Sequence, residues 1–580
     1  MKLTLLDWFY VALYFAINLA IGFYYKRRAG KDTSEFFLGG RNVPWWLAGT
    51  SMVATTFAAD TPLAVTGLVA KGGIAGNWLW WNMVASGMMT VFLYSRLWRR
   101  SGVTTDVEFS ELRYSGKPAA FLRGFRALYF GIPINCIVLG WVNLAMVKIL
   151  MLTLGVEKWQ ALAIVLGLIG ITSFISALAG LWGVLVTDLV QFLIKMGVVI
   201  ALGVASVNAV GGIEAMKTKL IEMGRADALN FIPNLDSAWM PLITFCVYIG
   251  MTWWATWYPG AEPGGGGFVA QRMLSAKDEK HSLYATLWFN VAHFAIRPWP
   301  WILTALAALI LYPGLEDPES GYVKVMIDHL PPSLRGLMLA GFIAAYMSTI
   351  GTNLNWGASY LVNDFYRRFI KIDAPEAHYV AVGQWATVLL TILSAIVTFY
   401  LTSIAGAWKV LLATGAGTGG VLMLRWYWWR INAWSEIAAM IAAAIVSIAL
   451  QLGWGLDSDQ PVDFAWIMII TIAITTAVWL AVTLATKPEN MDTLVEFYRR
   501  VRPSKAGWGP VAALAPEVRA DSGVGGALFD WLLGCVLIYA ALFGVGKLIF
   551  GEWALGAATL AAAAGAGYSL ALRSRREIGN

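Results

Sequence analysis

Charged residues are scarce in this chain of 580 residues. They make up 13% of the sequence, whereas 58% of the residues are hydrophobic, and the mean hydropathy is +0.64. In a soluble protein about a quarter of the residues are charged, so this composition excludes an ordinary soluble domain. A membrane-spanning helix needs about 20 mostly apolar residues, and the sequence holds many such stretches. The composition therefore predicts an all-α polytopic membrane protein.

Cysteine and histidine are also rare. The chain has three cysteines, all inside apolar runs, and four histidines. No disulfide framework, metal motif, paired acid and base or activated nucleophile follows from them, and no ATP-binding motif is present. We therefore expect a protein that is not an enzyme. The net charge of +7 does not predict nucleic-acid binding, because the basic residues lie at the ends of apolar runs. The lipid bilayer is the expected partner, and no obligate protein partner is evident.

The basic residues between apolar runs predict the topology, because cytoplasmic loops carry an excess of Lys and Arg. Lys26, Arg27 and Arg28 follow the first run, which puts the N-terminus outside. About fifteen spans are predicted, with fourteen possible, at 4–24, 45–70, 77–98, 127–154, 159–181, 184–208, 239–258, 283–312, 334–362, 377–402, 406–424, 434–453, 464–486, 527–549 and 553–572. An odd number places the C-terminus in the cytoplasm. The expected location is the plasma (inner) membrane.

A carboxylate and a proline interrupt the second span, in the sequence ATTFAADTPLA at 54–64. Pro62 removes the hydrogen bond to the carbonyl of Ala58 and crowds that carbonyl. Carbonyls near Ala54 to Ala58 would then lose their helical partners. Bare backbone at membrane depth is tolerated only where it lines a cavity or binds a ligand. A simple proline kink is the alternative.

Glycine and proline interrupt the chain again after the seventh span, in the sequence PGAEPGGGG at 259–267. Two prolines and five glycines in nine residues cannot sustain a regular helix, and no Gly-Lys-Ser/Thr follows to make a phosphate-binding loop. The second and seventh spans run in opposite directions. Matching breaks in two halves of opposite orientation are typical of inverted-repeat transporters, whose binding site lies where the breaks meet.

Hydroxyl groups share one face of the ninth span. Ala345, Ser348 and Thr349 are spaced i, i+3 and i+4. Together with the carbonyls freed in the second span they supply about five neutral oxygens, a set that suits a weakly held monovalent cation such as Na⁺. The alternative is that the hydroxyls bond back to their own helix or hold helices together.

Four segments resemble the solute:sodium symporter family, and the resemblance covers residues 5–485. They are ATTFAADT at 54–61, SALAGLWGVLVTDLVQ at 176–191, QRMLSAKDEK at 271–280 and AAYMSTIGTNLN at 344–355. The resemblance implies a five-plus-five inverted-repeat core with two broken helices. It also implies a sodium-coupled secondary active symporter that carries a small polar organic solute (a sugar, an amino acid or an organic anion) by alternating access.

The resemblance further implies a main sodium site. Its ligands would be the backbone oxygens of Ala54, Phe57 and Ala345 and the hydroxyls of Ser348 and Thr349. Asp188 matches the family aspartate beside the sodium exit route. Some relatives hold a second sodium between that aspartate and two hydroxyls, but this chain has only Thr352, with Gly351 beside it.

The solute is expected between the two breaks. The candidate contacts are Thr56, Asp60, Thr61, Phe268, Asn290 and His293. These residues match poorly the positions that contact sugar in sugar-transporting relatives. The resemblance therefore does not imply that the solute is a sugar. Arg297 shares the face of Asn290 and His293, and an arginine at membrane depth is costly. It either holds the solute or pairs with Glu262, Asp188 or Asp60.

The segments predicted along the chain are an extra N-terminal span (1–30), the ten-helix transport core (43–430), two accessory spans (431–486), a cytoplasmic loop (487–526) and a C-terminal hairpin of two spans (527–580). The loop contains TLVEFYRRVRP, which is either a basic interfacial helix or part of a solvated linker. A proton-coupled symporter, with Asp60 or Asp188 as the proton carrier, and a transporter-like sensor are the alternative functions.

Overall fold

Helices dominate the computed structural model, which describes residues 4–29, 38–103, 106–521 and 523–578. These ranges contain no β-strand, although an isolated bridge joins Val43 to Ala276. The all-α fold predicted from composition is confirmed. Residues 1–3, 30, 104–105, 522 and 579–580 of the predicted segments lie outside the described residues.

The helices follow one another with short connections. The first half of the chain contains Leu5–Ala29, Trp45–Thr56, Asp60–Gly72, Trp78–Trp81, Val84–Met89, Ser95–Ser101, Glu108–Arg113, Gly116–Tyr129, Asn135–Leu154, Lys158–Ala209, Ile213–Glu222, Leu242–Val247, Trp253–Ala255, Gly267–Ser275 and Glu279–Asn290. The second half contains Pro298–Leu311, Gly321–His329, Pro332–Ser359, Glu376–Tyr400, Ile404–Thr414, Thr418–Tyr427, Ala433–Ile448, Pro461–Ala485, Met491–Val501, Gly509–Ala512, Val524–Ile549 and Trp553–Ile578. Wider π-helical turns continue several of them, such as Val291–Ile296 after Asn290.

Within the described ranges, nine helices are long and apolar enough to cross a membrane, and up to eleven crossings result if each of two bent helix pairs forms one span. The bent pairs are Trp45–Thr56 with Asp60–Gly72, at 60°, and Ile404–Thr414 with Thr418–Tyr427, at 56°. The polytopic membrane fold is confirmed. The number of fifteen spans stays a prediction.

One continuous helix, Lys158–Ala209, stands where two spans were predicted at 159–181 and 184–208. At 1.5 Å per residue it is about 78 Å long, far more than the ~30 Å of a hydrocarbon core. Because the helix continues through residues 182–183, the separation of two spans predicted there is wrong. The segment contains no proline, and a glycine such as Gly183 costs a helix only about 1 kcal/mol, so no residue there stops the helix.

The segment after Ala485 folds onto the rest of the protein. Helix Met491–Val501 buries Leu494, Phe497 and Tyr498, and the Phe497 ring stacks on Trp508 with centroids 5.3 Å apart. The apolar face of this helix thus packs on protein. The solvated-linker interpretation is wrong for this helix.

A buried group of charges joins distant parts of the chain. Glu436 lies 3.2 Å from Arg425 and 3.5 Å from Arg126, and the Tyr114 hydroxyl donates to it over 2.6 Å. The Glu436 side chain is almost completely buried. Its carboxylate therefore neutralises two buried guanidinium groups.

Replacing this carboxylate should destabilise the fold. Glu436→Ala leaves two buried arginines without their counter-charge, a change that costs about 3–5 kcal/mol. The measurement is the thermal unfolding midpoint of the purified protein in detergent. Glu517→Ala is the control, because Glu517 pairs with Arg499 on the exposed surface. Equal midpoints for the two variants would contradict a structural role for Glu436.

Candidate solute and sodium site

The second predicted span is broken where its sequence indicates. Helix Trp45–Thr56 ends, residues 57–59 are not helical, and a new helix begins at Asp60. Pro62 fits in the first turn of the second helix, where an amide hydrogen has no helical partner. The Phe57 amide closes the first helix by donating to the Ala54 carbonyl over 3.2 Å. The predicted break beside Asp60 and Pro62 is confirmed.

Arg297 contacts the end of the first broken helix. Its guanidinium donates to the Thr56 hydroxyl over 3.1 Å and to the Val53 carbonyl over 3.4 Å, and it lies 2.7 Å from His293 Nδ1. It also stacks over the Trp301 ring, 4.8 Å from the centroid. Arg297 is fully buried. It thus binds neutral groups around the first break.

The predicted pairing of Arg297 with Glu262, Asp188 or Asp60 is wrong for the described part of the chain, in which no carboxylate forms an ion pair with it. Glu262 instead accepts from the Gly260 amide over 3.1 Å. Asp188 accepts from the Ser51 hydroxyl over 2.6 Å.

The second predicted break separates helix Trp253–Ala255 from helix Gly267–Ser275. Side chains from a neighbouring segment satisfy its backbone: Ser86 donates to the Ala261 carbonyl over 2.9 Å, and the Trp98 indole donates to the Gly264 carbonyl over 2.8 Å. The break predicted between Trp257 and Phe268 is confirmed.

A third break, at residues 415–417, was not predicted. Gly417 has φ +87°, and its amide donates to the Ala255 carbonyl over 2.8 Å, at the start of the second break. The sequence signal was ATGAGTGG at 413–420, whose glycines resemble those of the second break. The third break therefore supports the second one directly.

A cavity of about 1230 Å³ opens between the first two breaks. All six residues predicted to contact the solute line it, namely Thr56, Asp60, Thr61, Phe268, Asn290 and His293, and so does Arg297. Four buried polar atoms of cavity-lining residues have no hydrogen-bond partner among the described residues: Asp60 Oδ1, Asn290 Oδ1, Arg297 Nε and Trp408 Nε1. Each of these atoms is almost inaccessible to solvent, so they lie behind the surface of the cavity rather than on it.

The predicted sodium ligands lie on two helices that contact each other. Ala54 and Phe57 end helix Trp45–Thr56, whereas Ala345, Ser348 and Thr349 lie on helix Pro332–Ser359, here named the facing helix. The Thr349 hydroxyl donates to the Ala345 carbonyl over 2.9 Å, which leaves its oxygen lone pairs free. Thr349 and Thr352 also line the cavity.

Two basic residues near the predicted sodium site were missed. Lys195 Nζ donates to the Phe57 carbonyl over 3.1 Å, and Arg272 lies 4.0 Å from the predicted exit-route aspartate Asp188. The signal for Lys195 was a lone lysine in the apolar run at 184–208. The signal for Arg272 was a basic residue in the first helix after the second break.

Two broken helices around a cavity, in spans that the sequence predicts to run in opposite directions, are typical of secondary transporters of the inverted-repeat class. The sequence profile of the sodium:solute symporter family matches residues 36–443. The chain belongs to this family, whose members are transporters, and it is a sodium-coupled symporter of a small polar solute. The family expected from the four sequence segments is confirmed.

Comparisons with individual proteins agree with this family. The chain is 24% identical to a sodium/glucose cotransporter of Vibrio parahaemolyticus, over 84% of this chain and 92% of that one. It is 25% identical to sodium/myo-inositol cotransporter 2 of Oryctolagus cuniculus, over 67% of this chain and 60% of that one. The outward-open structure of a Na⁺-coupled sialic acid symporter has the same fold, with a TM-score of 0.66 and 19% identity over 84% of this chain and 99% of that one.

The packing of the third break against the second can be tested at two adjacent glycines. A Cβ atom at Gly419 would lie 1.9 Å from the Trp254 carbonyl oxygen, whereas one at Gly420 would meet only ring atoms at 3.6 Å or more. We expect Gly419→Ala to displace the second break and lower the yield of monodisperse protein in size-exclusion chromatography. Gly420→Ala should behave as wild type. Equal behaviour of both variants would contradict the contact.

Proposed function

We propose that the solute is a neutral polyhydroxylated molecule, a sugar or a polyol, bound in the cavity between the first two breaks. The observation that carries this proposal is the lining of the cavity, which includes the polar side chains of Thr56, Thr61 and Asn290. A hydroxyl group both donates and accepts, so a polyol can bond to hydroxyl and amide groups alike. These three side chains carry no charge, which favours a neutral solute rich in hydroxyls.

Aromatic rings around these side chains support the same class of solute. Trp80, Trp257 and Tyr258 line the cavity, and flat apolar rings pack against the C–H faces of a sugar. The glucose and myo-inositol cotransporters among the relatives agree with this class.

An organic anion is the second candidate, because the guanidinium of Arg297 belongs to the cavity wall. Against it, the cavity wall contains three carboxylates, on Asp60, Asp106 and Glu262, and only two guanidinium groups, on Arg272 and Arg297. A thermal-stability screen separates the classes, because a ligand stabilises the state that it binds. Glucose, mannose and myo-inositol should raise the unfolding midpoint in the presence of Na⁺, whereas lactate, glutamate and proline should not.

The proposed sodium ligands are the carbonyls of Ala54, Phe57 and Ala345 and the hydroxyls of Ser348 and Thr349. The break frees the Phe57 carbonyl from helical bonding, and the contact between the two helices supports a shared site. Neutral oxygens suit Na⁺ because they hold a monovalent ion weakly enough to release it. Proton coupling through Asp60 or Asp188 is the alternative.

We also propose a plasma (inner) membrane location with the N-terminus outside and the C-terminus in the cytoplasm. The basic loops assigned to the cytoplasm lie together in the fold, which supports a common side. Arg100 lies 2.8 Å from Glu279 and 2.8 Å from Asp521, and Arg113 donates to the Arg425 carbonyl over 2.8 Å. These contacts join four loops assigned to the same side.

The sodium site is tested by removing its hydroxyls. Ser348→Ala with Thr349→Ala deletes two of about five ligands, so Na⁺ should no longer stimulate uptake of radiolabelled solute in proteoliposomes, while the protein still folds. Ser394→Ala with Thr398→Ala is the control, since these buried hydroxyls bond to carbonyls within and beside their own helix. Wild-type stimulation by Na⁺ in the first double variant would show that the site lies elsewhere.

The solute site is tested at His293. Its ring lies in the cavity wall beside Thr56 and Arg297, so His293→Ala should weaken solute affinity about tenfold, the equivalent of one polar contact. Na⁺ affinity should change little, because the sodium ligands lie on other helices. His378→Ala is the control, because His378 bonds to Tyr366 and is not among the residues that line the cavity. Unchanged solute affinity in His293→Ala would remove this residue from the site.

A further inference from the structure

Lys195 extends from the long helix Lys158–Ala209 into the space between the first break and the facing helix. Its side chain is buried, and its ammonium donates to the Phe57 carbonyl over 3.1 Å. Its stem lies beside the facing helix, where a Cβ atom at Gly341 would be 3.8 Å from Lys195 Cγ. Gly341 is four residues before Ala345 and therefore lies on the same helix face.

The Lys195 ammonium contacts a carbonyl oxygen and an aromatic ring, as a bound cation would, and not a carboxylate. Besides the carbonyl, the Phe57 ring lies under Nζ, 5.5 Å from its centroid. No carboxylate forms an ion pair with Lys195 in the described ranges. Asp188, two turns earlier on the same helix, attracts this charge from beyond ion-pair distance, but it already accepts from Ser51 and lies 4.0 Å from Arg272. A buried charge without a counter-ion in contact is costly, so its position needs a reason.

The Phe57 carbonyl gives that reason, because it belongs to the proposed sodium ligands. We propose that the Lys195 ammonium is a tethered occupant of the sodium site: it holds the Phe57 carbonyl when Na⁺ is not bound, and Na⁺ enters only when the ammonium leaves. This inference rests on the proposed sodium site. Two cations cannot share one carbonyl oxygen in a buried site, because their repulsion is weakly screened there.

Lys195 then sets the sodium affinity without being a ligand of sodium. The apparent affinity of a site falls in proportion to the fraction of time for which it is free. The tether also bonds the exposed Phe57 carbonyl of the first break at the stages of the transport cycle in which Na⁺ is absent.

The test measures binding of radioactive sodium to the purified full-length protein. Lys195→Met keeps the length of the stem and removes the charge, so it should bind Na⁺ about tenfold more tightly if the ammonium holds the site nine-tenths of the time. Lys195→Arg keeps the charge and should not gain affinity. Lys217→Met, which removes a half-buried lysine paired with Glu214, is the control for loss of positive charge and should bind as wild type.

The gain must also depend on the proposed ligands. Adding Ser348→Ala and Thr349→Ala to Lys195→Met should abolish it. Unchanged or weaker binding in folded Lys195→Met, or a gain that survives loss of both hydroxyls, would overturn the proposal. If Lys195→Met yields no folded protein, Lys195→Gln, which keeps a donor without a charge, must show the same gain, and its absence overturns the proposal.

A failure of the Lys195 proposal can be distinguished from a failure of the proposed function. If wild-type uptake is not stimulated by Na⁺ but Lys195→Met gains sodium binding that requires Ser348 and Thr349, the tethered ammonium is supported and sodium coupling of the wild type fails. If wild-type uptake depends on Na⁺ and Lys195→Met gains nothing, the proposed function stands and the role of Lys195 fails.

Discussion

The backbone groups left without helical partners at the three breaks constrain the rest of this structure. A bilayer offers no water to satisfy them, so protein or a bound ligand must do so. At the first break, Arg297 and Lys195 reach the carbonyls of Val53 and Phe57. At the second, Ser86, Trp98 and Gly417 bind carbonyls between Ala255 and Gly264. Elements distant in sequence are thereby held at the two sites where backbone is exposed.

The same constraint brings the proposed solute site and the proposed sodium site together at one residue. Phe57 presents its carbonyl to Lys195, and its ring lies 5.6 Å from the Arg297 guanidinium. Arg297 in turn contacts His293 and Thr56 in the cavity wall. A change in the conformation of Phe57 would therefore reach both regions through direct contacts. Such a shared element provides a physical basis for coupling two ligands, because each can bias the same equilibrium.

The segment at 487–521, which is predicted to be cytoplasmic, depends on a different kind of contact. Phe497 and Trp508 pack into a cluster with Trp98 and Trp426, and Arg100 pairs with Asp521. Trp98 also donates to the Gly264 carbonyl of the second break. The packed helix Met491–Val501 is thus connected with the cavity region through one buried aromatic residue.

Local chemistry determined what the sequence alone could predict. Pro62 cannot continue a helix that precedes it, the glycines at 259–267 do not sustain one, and the spacing of Ala345, Ser348 and Thr349 places them on one face of any helix. The continuity of Lys158–Ala209 and the third break at residues 415–417 have local signals too, whereas the partners of Arg297 and Lys195 were decided only by tertiary structure. Lys195 and Phe57 are 138 residues apart, and no local pattern encodes which carbonyl an ammonium will reach. That choice depends on how the helices pack, because a buried charge binds whichever oxygen the packing brings within its reach.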